Sequence, residues 1–279
     1  SNRKLHEGDF LFESDIHGTN QDKMHFSFPV KWGIPVRYHD FKDFAQKITP
    51  DLFEFHLSYR DLALDPAQYL HNVDCKRLVV HAPELFEDSE LLDLSSDDLA
   101  YRKRSIANMQ RVVDATVSIA SFFPQADSML IVGNVGGFSA DAPLPFDRRT
   151  ELYKRFHESC SQVNFKGTEL IPQNMAPFPW HFGGQRHQNI FMMPDELISQ
   201  AREHHLRYCI DLAHLQMTCN HFQIDFLQAL DSLLPYTAHL HVSDAAGSNG
   251  EGVPMGKGDI KWPATWKLIS KAGNVSFIP

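Results

Sequence analysis

The amino-acid sequence predicts an α/β protein of one architecture, a (β/α)8 TIM barrel. Three features carry that prediction. Eight β-rich runs follow one another from residue 30 onward, and helical patterns separate most of them. The first run, WGIPVRYHD, has one glycine and no GxGxxG turn, which an open doubly wound sheet would usually show.

The elements come in order. Residues 30–38 (VKWGIPVRY) read as strand 1 and 40–48 as the helix after it. Residues 51–59 (DLFEFHLSY) and 77–83 (RLVVHAP) are strands 2 and 3. Residues 97–122 place Ile106, Met109, Val113 and Val117 at helical spacing. Strand 4 is 128–137, and a helix at 145–163 opens on Pro145 and Asp147. Strand 5 is 167–175 (GTELIPQNM), followed by a helix with Pro194 at its start and His205 at its end. Strand 6 is 206–212 (LRYCIDL), a helix follows at 222–234, and strand 7 is 237–244 (TAHLHVSD). A helix at 262–273 leads to strand 8 at 274–279.

The length of 279 residues suits one such barrel, and 43% hydrophobic with 22% charged residues is ordinary for a globular protein. A balance of 26 basic to 35 acidic residues disfavours a nucleic-acid backbone as the main partner, because phosphate contacts need clustered Lys and Arg. No apolar run approaches the roughly 20 residues that span a bilayer, and the first thirty residues lack a signal-peptide core. Cys75, Cys160, Cys209 and Cys219 form no CxxC pair, so reduced thiols and a cytoplasmic protein with no membrane partner are expected. Residues 1–28 fall outside the alternation and read as a preceding segment or linker. The barrel then occupies 29–279 and stops after strand 8 without a final helix, as a fragment of a longer polypeptide would.

Chemistry in a TIM barrel sits at the C-terminal ends of the strands. Strand 1 delivers Arg37, His39 and Asp40 there, strand 2 Glu54, His56 and Tyr59, and strand 3 His81. Strand 4 delivers Asn134 and Gly136–Gly137, strand 5 Gln173 and Asn174, strand 6 Asp211, with His214 in the loop beyond. Strand 7 delivers His239, His241 and Asp244, and the following loop Glu251, Lys257 and Asp259. His239 and His241 lie two apart and point to one side of their strand. Imidazole with carboxylate suits Zn²⁺, Mn²⁺, Co²⁺ or Fe²⁺ rather than Ca²⁺.

The stretches DLAH, HLHVSD and GEGVPMGKGDIKW resemble the xylose isomerase-like TIM barrels, the superfamily of sugar and sugar-phosphate isomerases, epimerases and the endonuclease IV group. The resemblance covers residues 30–279. It implies roles at the metal site for Asp211 with His214, and for His241 with Asp244; His81 and Glu54 match a histidine and an acid of strands 3 and 2. The family's strand 5 ends in a Glu where this chain has Gln173, which can ligate through oxygen but cannot act as a base. A second family Glu follows strand 8, where this sequence ends at Pro279. Two-base epimerisation is thereby put in doubt. WGIPVRYHDF, EFHLSYRDL and FPWHFGGQRHQNIF also resemble a barrel domain appended to sialic acid synthase-like polypeptides, with RKLHEGDFLFESDI as an SAF-like remnant.

The expected enzyme is therefore a metal-dependent isomerase or epimerase of a sugar or sugar derivative. Gln173, Asp211, His214 and His241 would hold a divalent cation, with Glu54 and His81 moving the proton. Arg37, His56, Asn134, Trp180, His181 and Lys257 would meet the substrate. Bland readings stand beside these. Asp211 and His214 can cap a helix, and Arg37 can pair with Asp40 or Glu54. Lys257 can be a solvated loop residue, His239 a buried structural one, and Trp180 with Phe182 a plug of the rim. Two further functions remain open: a substrate-holding domain without catalysis, and a zinc phosphoesterase of endonuclease IV type. The superfamily's exposed faces also allow a homo-oligomer.

Overall fold

The computed structural model describes residues 26–75, 77–181 and 183–279. Eight barrel strands are β1 (Lys31–Val36), β2 (Leu52–His56), β3 (Arg77–His81), β4 (Met129–Gly133), β5 (Glu169–Pro172), β6 (Tyr208–Asp211), β7 (Thr237–His241) and β8 (Ser276–Ile278). All pair in parallel, in the order β6–β7–β8–β1–β2–β3–β4–β5, and a parallel bridge between Gln173 and Cys209 brings the two edges together. The predicted TIM barrel is the observed one.

Parallel strands are buried on both faces, so their sequences run continuously apolar. Alternate residues divide between two cores. Leu52, Val79, Leu130, Val132, Ile171, Cys209, Ala238 and Ile278 pack together inside the barrel. Phe53, Phe55, Leu78, Val80, Ile131 and Ile210 point outward and join the larger core under the helices. Those helices are α1 (Tyr38–Lys47), α2 (Leu99–Ala120), α3 (Phe146–Cys160), α4 (Pro194–His204), α5 (Leu212–Phe222), α6 (Phe226–Leu233) and α7 (Trp262–Ile269).

Between β2 and β3, where the sequence shows no helical pattern, the chain makes two 3₁₀ turns, Asp61–Ala63 and Pro66–Gln68. Asp61 accepts from the Ser58 amide and Asp65 from the Ala67 amide, and these local bonds compete with helix. One connection departs from the sequence reading. After β6 there is no loop: α5 starts at once, so His214 sits in its first turn. Leu212 through Cys219 are all buried, which leaves α5 without the polar face that marks a helix in sequence. Gln223 in the left-handed region ends α5, and Asp225 caps α6 by accepting from the Gln228 amide.

The SAF-like stretch RKLHEGDFLFESDI lies outside the described residues, as does Phe182. Phe26 and Phe28 are described, and both rings lie against Trp32 at the start of β1. No helix among the described residues is long and apolar enough to cross a membrane.

The interior layer makes a stability prediction. Leu52 is fully buried whereas Leu64 is 38% exposed. Leu52→Ala is expected to cost about 2–5 kcal/mol and Leu64→Ala under about 1 kcal/mol, read as shifts of the urea midpoint.

Candidate active site

Below the barrel mouth the apolar interior gives way to charge. The Glu54 carboxylate is completely buried. His239 Nε2 lies 2.8 Å from its Oε2, His241 Nε2 3.0 Å from Oε1, and His56 Nε2 2.9 Å from Oε1. Burial alone would raise the Glu54 pKa; His241, His239 and His56 outweigh it and hold the acid well below its ordinary value. The proton positions follow from the outer partners. Arg77 Nη1 donates to Ser276 Oγ at 3.0 Å, so the hydroxyl donates onward to His239 Nδ1 at 2.8 Å. His239 then carries its proton on Nε2, facing Glu54. Burial, against the pull of Glu54, lowers its pKa and keeps it neutral. His241 goes the other way. Burial opposes its charge, but the Cys209 sulfur and the Glu54 carboxylate raise its pKa well above the imidazole range.

One level up, His241 Nδ1 faces two groups at the mouth. It is 3.2 Å from Gln173 Nε2 and 3.8 Å from Asp211 Oδ2, and Gln173 Nε2 donates to Asp211 Oδ2 at 3.2 Å. On its other side Gln173 Oε1 is placed 3.2 Å from His81 Nε2, while His81 Nδ1 donates to the Ala82 carbonyl at 2.8 Å. Burial and the neighbouring His56 lower the His81 pKa. A neutral His81 with its proton on Nδ1 presents a bare Nε2, which needs the amide N–H₂. Turning the amide to supply it points the Gln173 oxygen at Asp211 and His241. Amide oxygen, carboxylate oxygen and imidazole nitrogen then form one triangular face. At metal–ligand distances of about 2.1 Å, neighbouring donors lie roughly 3–3.5 Å apart. The three residues therefore fit one face of a divalent cation's coordination shell.

A second arrangement also brings ligand atoms together: those of Glu54, His239 and His241 lie within 4.8 Å of one another. There the carboxylate is enclosed by imidazoles and sealed from the cavity. The Gln173–Asp211–His241 face opens into it.

The cavity has a volume of about 630 Å³. Among the expected groups, Arg37, His56, His81, Asn134, Gln173, Trp180, His181, Asp211, His214 and His241 line it. Two expected groups do not. Lys257 is exposed in the turn beyond, where its amide donates to the Pro254 carbonyl. Glu54, expected to move a proton, lies beneath the floor with no surface toward substrate. His214 was expected among the ligands, but both its nitrogens are engaged. Nδ1 is 2.8 Å from the Asn174 carbonyl and Nε2 3.1 Å from Glu251 Oε1, while its amide donates to Asp211 Oδ1 at 3.0 Å. Burial works against its charge, but Asp211 and Glu251 push its pKa up to about 9. Asp211 thus serves both readings, as cap of α5 and as part of the mouth face.

Some contributors were not read from the sequence. Glu84, three residues past His81, lines the cavity and accepts from Asn134 Nδ2 at 3.3 Å. Arg77 and Ser276 support the floor from below; the only sequence signal was an arginine opening an apolar strand.

Asp244 orders the loop after β7. Its oxygens accept from the Ala245, Gly256, Gly258 and Ile260 amides and from Trp262 Nε1, at 2.8 to 3.2 Å. Burial would raise its pKa, yet the indole and these amides hold it below the ordinary value. Gly258 packs so closely that a Cβ there would lie 2.3 Å from Asp244 Oδ1. Asp244→Ala strands several donors and is expected to cost about 2–4 kcal/mol by urea denaturation. A cost below about 1 kcal/mol would contradict this role.

Comparison with known proteins was consistent with this architecture. The sequence profile of the xylose isomerase-like TIM barrel matches residues 41–277. No curated protein matches the chain. Among solved structures, a D-tagatose 3-epimerase-like protein superposes with a TM-score of 0.62 at 17% identity, covering 89% of this chain and 90% of that one. An L-ribulose 3-epimerase gives 0.57 at 13% identity, covering 89% and 80%. Endonuclease IV from Thermus thermophilus gives 0.56 at 16% identity, covering 89% and 91%. At such identities the likeness is one of fold.

Proposed function

The chain belongs to the xylose isomerase-like TIM barrel family, and we propose that its barrel mouth is the active site of a metal-dependent isomerase or epimerase of a sugar or sugar derivative. One observation carries this reading: Gln173, Asp211 and His241 converge within 3.2–3.8 Å of one another on the wall of a cavity of about 630 Å³, and turning the Gln173 amide to satisfy His81 completes a three-donor face. Three sugar 3-epimerases or epimerase-like proteins among the structural neighbours support the substrate class. A divalent cation (Mn²⁺, Zn²⁺, Co²⁺ or Fe²⁺) held there would polarise a substrate carbonyl and acidify the neighbouring C–H.

The chain's own residues divide the remaining work. Glu54 accepts from His241 Nε2 and so holds the ring with Nδ1 toward the mouth, as a carboxylate behind a ligand histidine does. Glu54 Oε1 also lies 2.9 Å from His56 Nε2, a nitrogen with no hydrogen-bond partner of its own. A proton on that nitrogen, drawn by the carboxylate, leaves Nδ1 as the lone pair for the cavity. His56, one-third exposed, is then the general base, and Glu54 its orienting partner. His81 fixes the Gln173 amide. Gln173 cannot take a proton, so a single imidazole does the transfer. One base returns the proton to the face it came from, which favours isomerisation over two-base epimerisation. A place in sialic acid-type biosynthesis rests on the narrower resemblance alone.

The test uses the Mn²⁺-loaded protein in D₂O with a panel of aldoses and ketoses, following C–H exchange by NMR. His56→Asn is expected to slow exchange by at least about 100-fold with Mn²⁺ affinity retained. Asp211→Ala is expected to lose Mn²⁺ binding by calorimetry. Undiminished exchange in His56→Asn would remove it as the base. Absence of metal binding in the wild type would leave a substrate-holding barrel as the better account.

A further inference from the structure

We propose that the substrate carries an anionic group, a carboxylate or a phosphate, held by Arg37 at the β1 side of the mouth, away from Gln173. This inference deepens the reading above and rests on it.

Arg37 follows β1 directly. Gly33 pairs with Leu52 and Pro35 with Glu54, both partners pointing into the barrel. The next position on that face is Arg37, beside His56. Its side chain lines the cavity and, among the described residues, is the only lysine or arginine that does. Strand order fixes where it stands. Starting from β1, four steps around the barrel in either direction lead to β5, whose end carries Gln173. The guanidinium thus stands on the opposite strand to Gln173, three strands from Asp211 and two from His241.

Neither carboxylate that could neutralise Arg37 does so. Asp40 Oδ1 accepts from the Arg37 backbone amide at 2.7 Å, and its Oδ2 faces His39 Nε2 at 3.7 Å. Glu54 is enclosed by His56, His239 and His241. Glu251 and Glu84, also on the cavity wall, are engaged by His214 and Asn134. Arg60 nearby is turned onto the Tyr59 ring, 5.7 Å from its centroid. Among the described residues Arg37 alone brings a planar donor fork without a side-chain partner to the exposed rim of the cavity, and that fork matches a carboxylate or phosphate two oxygens at a time. A volume of about 630 Å³ also leaves room beyond a bare six-carbon chain.

The experiment measures binding to the Mn²⁺-loaded full chain by calorimetry. Probes are D-fructose and D-psicose, each as the free ketose, its 6-phosphate and its 6-carboxylate. Wild type is expected to bind at least one anionic form about tenfold or more tightly than the neutral ketose, with the advantage shrinking as salt rises. Whichever anion is preferred identifies the group. Arg37→Gln is expected to abolish the preference with neutral-ketose affinity within about twofold of wild type, and Arg37→Lys to keep part of it. Circular dichroism checks that the variants fold. Neutral binding with no anionic preference, or a preference that survives in Arg37→Gln, overturns this inference alone. Mn²⁺ binding without affinity for any of the six probes overturns it together with the reading it rests on.

Discussion

One buried carboxylate governs the upper half of this barrel. Glu54 has no solvent exposure, and an isolated charge there would be costly. The structure answers with three imidazoles turned toward it. Their orientation is a consequence of that demand. His239 is locked from behind by Ser276 and Arg77, so it gives a hydrogen bond but no charge. His241 supplies the charge, which a cation bound at Nδ1 replaces by displacing that nitrogen's proton. His56 is the only one of the three with appreciable exposure, and it carries the Glu54 polarity to the cavity wall.

This polar layer replaces side chains that would otherwise be Leu, Ile or Val. Buried ion pairs are weak contributors to stability, but breaking one by removing a single partner is strongly destabilising. What the layer provides is rigidity of position. Gln173, Asp211 and His241 come from three neighbouring strand ends, and each has a second partner that fixes its angle: His81, the His214 amide and Glu54. Such support keeps donors within the tolerance that metal binding and proton transfer need. The loop beyond β7 is held by Asp244 through backbone amides, which leaves the mouth open while its rim stays ordered.

The barrel was legible in the sequence because parallel strands are buried on both sides, and RLVVH or YCID then reads as an unbroken apolar run. The β6-end helix was not legible: LAHLQMTC is buried all round and lacks amphipathic contrast. Period-two alternation correctly paired His239 with His241, but it could not tell that Glu54 lies one layer too deep to meet substrate. That depends on which neighbours close over it. Likewise DLAH announced Asp211 and His214 together, yet only the fold shows His214 drawn away to Asn174 and Glu251. Arg77 and Ser276 lie 199 residues apart, and no local pattern could join them.

The most direct measurement is a crystal structure of the protein soaked in Mn²⁺, with anomalous scattering used to locate the ion. The account predicts a single strong peak touching Gln173, Asp211 and the Nδ1 side of His241, with Glu54 bound to His241 Nε2 and free of the ion. A peak lodged instead between Glu54, His239 and His241 Nε2 would contradict it, because Glu54 would then be a ligand and not the anchor of the histidines.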